Sequence, residues 1–188
     1  MIIGLSGTFA SGKDTLAHHL LQKHNFMHVS TGDMVRAVAE AEYGNTERPT
    51  LVKTANELRD KRGPGVLAEL ALERYELYRG GYTGIVISGV RSLGEANAVQ
   101  AKGGIILFTD APIETRYERI KNRQRAHEEQ LSLEDFKKSE ELENHTVHDD
   151  PAVQDIAGVR ELADIIVLNT DDVEAFCADA EQKLGLSV

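Results

Sequence analysis

The residues best suited to chemistry stand near the start of the chain, in Gly7-Thr8-Phe9-Ala10-Ser11-Gly12-Lys13-Asp14-Thr15. Gly7 and Gly12 let the backbone turn so tightly that successive N–H groups converge on one anion. Lys13 adds a full positive charge, and the helix expected after it adds a partial one. A glycine turn of this spacing, ending in lysine and followed by a hydroxyl, is a phosphate cradle. The hydroxyl that usually follows the lysine and holds Mg²⁺ is displaced by one place. Asp14 fills that slot and Thr15 comes next. Both reach a metal ion or its waters, although an aspartate in a first helical turn is favourable in its own right.

Two further stretches carry cations in places where phosphate could be gripped. In Ser30-Thr31-Gly32-Asp33-Met34-Val35-Arg36, Gly32 permits a sharp turn, Asp33 is placed to start a helix and Arg36 lies one turn in. Its planar guanidinium could hold a second phosphoryl group bidentately; a helix cap followed by an exposed arginine is the plainer alternative. Arg116, Arg119 and Arg123 recur at spacings of three and four, which places them on one helical face. With Lys121 and Arg125 they form the densest cationic cluster of an acidic chain, and charge of one sign favours phosphate clamping over a solvated face.

The elements that must position these residues follow from the hydrophobic pattern. Short, β-branched, unalternating runs at 2–5, 26–29, 84–87, 105–108 and 165–168 read as strands buried on both faces of a parallel sheet. Helical patterns cover 13–24, 33–42, 50–62, 65–79, 92–102, 112–125, 133–143 and 171–184. Alternation with right-handed crossovers gives a three-layer, doubly wound α/β fold on a five-stranded parallel sheet. Ligands then collect at the carboxyl ends of the strands, where the glycine turn already stands. The last helix has a core face of Val173, Phe176, Cys177, Ala180 and Leu184, so Cys177 reads as packing.

Composition narrows the partners. The 188 residues carry a net charge of −10, with 28% charged and 41% hydrophobic types. One domain spanning 1–188 is the simplest organisation. A tracker of nucleic-acid backbones usually has the opposite balance, so no nucleic-acid partner is expected. Anionic small molecules need local cationic pockets in such an acidic field. The single cysteine permits no internal disulfide, no run approaches a membrane span, and no basic-then-apolar leader is seen. A cytoplasmic location without membrane partners is expected. His145, His148, Asp149 and Asp150 lack the spacing of a metal cage, and His18, His19, His24 and His28 have no evident partner in sequence.

The motifs GTFASGKDT and STGDMVR resemble those of the nucleoside monophosphate kinases, such as adenylate kinase. Residues 57–65, Gly89-Val90-Arg91-Ser92 and 163–169 extend the likeness over nearly the whole chain, to an archaeal-type group of P-loop proteins related to dephospho-CoA kinases. The resemblance implies an ATP- and Mg²⁺-dependent kinase, monomeric or homodimeric, acting on a small nucleotide-like acceptor. ATP would be bound by Gly7, Ala10, Ser11, Gly12, Lys13, Asp14, Thr15 and Arg119, with Asn169 beside the adenine and the metal near Thr15 and Asp14. Thr31, Gly32, Asp33, Arg36, Arg91 and Arg125 would hold the acceptor. Arg119 and Arg123 would stabilise the migrating group, and Asp33 is the candidate base. Residues 34–79 correspond to the acceptor-binding helical insertion, with pivots at Pro49 and residues 63–65, and residues 116–150 to a polar lid. Relatives often end the third strand on an acid, where this chain has Ser88. A nucleoside or deoxynucleoside monophosphate is the leading acceptor, dephospho-CoA the alternative, and a regulatory nucleotide-binding switch a third reading.

Overall fold

The computed structural model describes residues 1–122, 132–145, 150, 152–170 and 172–186. Five parallel strands, β1 (Ile2–Gly7), β2 (Phe26–Ser30), β3 (Gly84–Ser88), β4 (Ile105–Asp110) and β5 (Ile165–Leu168), pair in the order β2-β3-β1-β4-β5. Register aligns Ser30 with Ser88, Leu5 with Ser88, Gly7 with Thr109 and Asp110 with Leu168. The strands therefore end along one edge, and β1, which carries the glycine turn, is central.

The nine α-helices among the described residues are α1 (Lys13–His24), α2 (Thr31–Tyr43), α3 (Arg48–Arg62), α4 (Val66–Tyr78), α5 (Leu93–Ala101), α6 (Ile113–Asn122), α7 (Leu133–His145), α8 (Ile156–Glu161) and α9 (Val173–Leu184). Central strands lack alternation because both faces are covered. On one face Ile3, Leu5, Val86 and Leu107 pack with Leu16 and Leu20 of α1 and Phe176 and Ala180 of α9. On the other, Ile85, Ile87 and Ile106 meet Ala68 and Leu72 of α4, Val99 of α5 and Val159 of α8. Among the described residues, no helix is long and apolar enough to cross a membrane.

Several expectations change. β5 is an edge strand with Ile166 43% and Leu168 54% exposed, so it is not buried on both faces. α2 starts at Thr31 because Ser30 is its cap: the Ser30 hydroxyl accepts from the Asp33 amide at 3.3 Å. Gly32 thus lies inside the first turn and adopts no positive φ. α8 was hidden by its length of six residues, too short to display a period; Asp155 caps it by accepting from the Gly158 amide at 2.7 Å. Pro64 and Gly65 are closely packed, whereas Gly63 has open space beside it. A Cβ on Gly65 would come within 2.9 Å of Ala98 Cβ, and one on Gly94 within 2.5 Å of Pro64 Cβ, so the α3–α4 corner is pressed onto α5.

The start of α5 also fixes Glu95, which is only 1% exposed. Its Oε2 accepts from the Arg91 amide at 2.8 Å and its Oε1 from Arg59 Nη2 at 3.4 Å. Burial pushes this carboxyl above its usual range, with the Arg91 amide and Arg59 pulling the other way. A carboxyl whose folded pKa is raised binds its proton more tightly in the native chain. Its contribution to stability is therefore greatest below the unfolded value of about 4.3 and is lost as pH rises through the folded value. Denaturant titrations of wild type and Glu95→Gln from pH 4 to 7 should show the wild type losing stability relative to the variant as pH rises. Parallel curves would contradict this assignment.

Candidate active site

The turn between β1 and α1 is built by close approach and positive φ. Gly7, Ala10 and Gly12 have φ of 144°, 61° and 101°. A Cβ on Gly7 would sit 2.2 Å from the Thr109 carbonyl oxygen, and one on Gly12 2.3 Å from Asn169 Nδ2. Ala10 keeps its unfavourable φ because its methyl is buried with Ile120 of α6 and Phe136 of α7.

Outside groups grip the loop from Thr8 to Ser11. Thr8 Oγ1 donates to Asp110 at 2.9 Å, and Arg116 Nη1 reaches the Phe9 carbonyl at 3.3 Å. Arg119 Nη1 donates to the Ala10 carbonyl at 3.1 Å and its Nη2 to Asn169 Oδ1 at 2.8 Å. Asn169 Nδ2 donates to the Ser11 carbonyl at 3.0 Å, and the Ser11 and Thr109 hydroxyls are 2.7 Å apart. The Phe9, Ala10 and Ser11 carbonyls are tied to groups outside the loop, and the cap residue Gly12 has no side chain, which leaves the first-turn amides of α1 for an anion. Lys13 Nζ folds across the loop and donates to the Gly7 and Thr8 carbonyls at 2.9 and 2.6 Å. The arrangement fits a polyphosphate.

Asp14 and Thr15 are exposed in the same first turn and offer hard oxygen donors of the kind Mg²⁺ takes. Ser88 is buried and bonded to His28 Nε2 at 2.8 Å. Burial first, and His18 second, hold His28 below its ordinary range, while Asp14 and Asp33 oppose them. The β3 end is therefore a neutral pair. A metal here would rest mainly on Asp14, Thr15 and phosphate oxygens.

Next to this cradle, beyond the ends of β2 and β3, opens a pocket of about 950 Å³ lined by Arg36, Arg48, Arg59 and Arg91. Its apolar wall comes from Leu51, Val52 and Ala55 of α3. Arg36 and Arg91 were anticipated. Arg48 and Arg59 were not assigned a role, because only the return of α3 over the sheet brings them here; the one signal was Arg59 inside the 57–65 motif. Asp33 is bound to Arg36, which donates to Asp33 Oδ1 through Nε at 3.1 Å and also through Nη2. Thr31 is buried, its hydroxyl donating to the Gly89 carbonyl at 2.9 Å, so it ties β2 to β3.

Other candidates are placed differently from expectation. Arg116 does not join a phosphate clamp. It is 5% exposed and bonded to the Ala111 carbonyl at 2.9 Å and to Glu140 of α7 at 2.5 Å. Part of the expected lid is thus packed: Phe136 and Glu140 of α7 are buried behind the loop. The Asn169 side chain is buried beneath the glycine turn. Arg123, Arg125, His148 and Asp149 lie outside the described residues.

A family model described as an AAA domain matches residues 6–137. A UPF0200 protein of Thermococcus onnurineus (strain NA1) is 34% identical over 141 residues, 72% of this chain and 75% of that protein. Adenylate kinase isoenzyme 5 of Mus musculus is 35% identical over 88 residues, 47% of this chain and 15% of that one. The crystal structure of shikimate kinase from Bacteroides thetaiotaomicron superposes with a TM-score of 0.54 at 16% identity, covering 99% of each chain, a likeness of fold. With the AAA-domain match spanning the glycine turn and strands β2 to β4, the chain belongs to that AAA-domain family and stands among the UPF0200 proteins.

Proposed function

We propose that this protein transfers the γ-phosphoryl group of ATP to a nucleotide-like acceptor, a nucleoside or deoxynucleoside monophosphate. The observation that carries this reading is adjacency. A lysine-bearing phosphate cradle follows β1, and an arginine-lined pocket opens beyond β2 and β3, one strand away. Two anions seated there would face each other across the end of β3. The adenylate kinase likeness supports the same reading.

Alignment and charge neutralisation supply most of the rate in phosphoryl transfer. Lys13 already spans the loop, and moving its ammonium from two carbonyls to β- and γ-oxygens requires little rearrangement. Arg119, anchored on Ala10 and Asn169, lies at the rim of the same cradle. Asp14 and Thr15 would hold Mg²⁺, which when bound neutralises charge on the transferred group. Arg36 is held by Asp33, but the two side chains are 51% and 61% exposed, so the pair contributes only about 0–1 kcal/mol. An acceptor phosphate offering bidentate, charge-assisted bonds outcompetes it. Asp33 then acts as a gate on Arg36. A phosphate acceptor is already anionic and needs no base.

Kinetics with ATP and a panel of nucleoside monophosphates, deoxynucleotides and dephospho-CoA, reading ADP release and product mass, test this function. A diphosphate product with one acceptor class supports it; no acceptor-dependent ADP release would overturn it. Arg36→Ala should lower kcat/KM for the acceptor roughly ten- to a hundredfold, as loss of a charged hydrogen bond of about 1.5–3 kcal/mol implies, with ATP affinity little changed. Equal loss of both would remove Arg36 from the acceptor site. With a monophosphate acceptor, Asp33→Asn should leave kcat within about tenfold. A fall of about 10²–10⁴ would instead mark Asp33 as a general base acting on a hydroxyl acceptor.

A further inference from the structure

The opposite end of α1 carries a second cluster of chemically capable side chains. His19, Lys23 and His24 of α1 surround Glu181 of α9. His19 Nε2 and His24 Nε2 lie 2.7 and 2.6 Å from a single carboxylate oxygen, Oε1. Lys23 Nζ occupies the other oxygen, Oε2, at 2.8 Å. The imidazoles stand edge to face, with centroids 6.3 Å apart, so they converge without stacking. Glu181 is only 6% exposed, and the His24 side chain 13%.

Charge balance does not account for this convergence. Lys23 alone, 2.8 Å from Oε2, neutralises Glu181. Two imidazole nitrogens aimed at the remaining oxygen exceed what one ion pair requires. Two histidine nitrogens and one carboxylate oxygen, all within 4.8 Å of one another, are instead the donor set of a three-ligand transition-metal site.

We propose that His19, His24 and Glu181 bind a divalent transition ion, Zn²⁺ foremost, that fastens α1 to α9. Neutral imidazoles ligate through Nε2, Glu181 ligates through Oε1, and water completes the shell. Lys23 remains on Oε2 and orients the carboxylate as an outer partner. Two nitrogens in three ligands disfavour Mg²⁺, which separates this site from the oxygen donors Asp14 and Thr15. The twelve residues of α1 span about 18 Å, so the metal fixes the end of the helix remote from the phosphate cradle.

The test is calorimetric titration of the untagged full chain with ZnCl₂ in excess Mg²⁺, paired with NMR spectra of the histidine rings. One Zn²⁺ per chain is expected, with the His19 and His24 ring signals moving together and the melting temperature rising. His19→Asn should weaken binding by at least about tenfold, and His18→Asn, on the exposed face of the same helix, should leave it unchanged. Absence of stoichiometric binding would overturn the proposal. So would binding that leaves both ring signals in place, or an equal loss in His18→Asn. Glu181→Gln should abolish binding; because it also breaks the ion pair with Lys23, the wild-type ring spectra decide the matter if that variant does not fold.

Discussion

Everything at the active edge depends on how closely β4 approaches the end of β1. Gly7 and Thr109 are paired across the sheet, and only hydrogen fits between the Gly7 Cα and the Thr109 carbonyl. That contact fixes where the loop leaves the sheet. Thr109, Asp110, Arg116, Arg119 and Asn169, all from the β4–β5 side, then hold the loop's outward-facing groups. With the Phe9, Ala10 and Ser11 carbonyls held from outside and the first-turn amides of α1 without intrahelical partners, the glycine turn is shaped in advance by its neighbours. Pre-organisation of this kind avoids reordering when an anion arrives.

Exposure separates the arginines that can serve a ligand from those that cannot. The Arg36–Asp33 pair is about half exposed, and breaking it costs about 1 kcal/mol at most. The Arg116–Glu140 pair is 6% and 8% exposed, and removing one partner would leave a buried charge at a cost of about 3–5 kcal/mol. Arg116 therefore stays with the scaffold, while Arg36 can exchange partners. Arg59, 14% exposed against a buried Glu95, lines the arginine pocket from a position tied to α5. In a chain of net charge −10, local pairings of this type prevent the cationic pockets from collapsing onto arbitrary carboxylates.

The sheet and the glycine turn between β1 and α1 were legible in the sequence because their signals are local. Glycine spacing, a lysine and five short apolar runs need no knowledge of distant residues, and the strands fall where those runs are. What was not legible depends on long-range placement. Arg48 and Arg59 reach the pocket through the path of α3, and Arg116 is claimed by a residue 24 positions away. Asn169 was expected beside the adenine, but the fold places its amide under Ser11, 158 positions earlier. β5 carries the same apolar pattern as a central strand, and pattern alone does not say that it ends the sheet. The three-sided clasp around Glu181 joins residues more than 150 positions apart, so His19 and His24 have no evident partner in the sequence.

The most direct measurement is a crystal structure with a dinucleoside polyphosphate, one molecule carrying two nucleosides on a shared phosphate chain. The phosphates should lie on the first-turn amides of α1, with Lys13 Nζ moved off the Gly7 and Thr8 carbonyls and the second nucleoside seated between Arg36 and α3. Phosphates bound elsewhere, with Lys13 still on those carbonyls and the arginine pocket empty, would contradict the account.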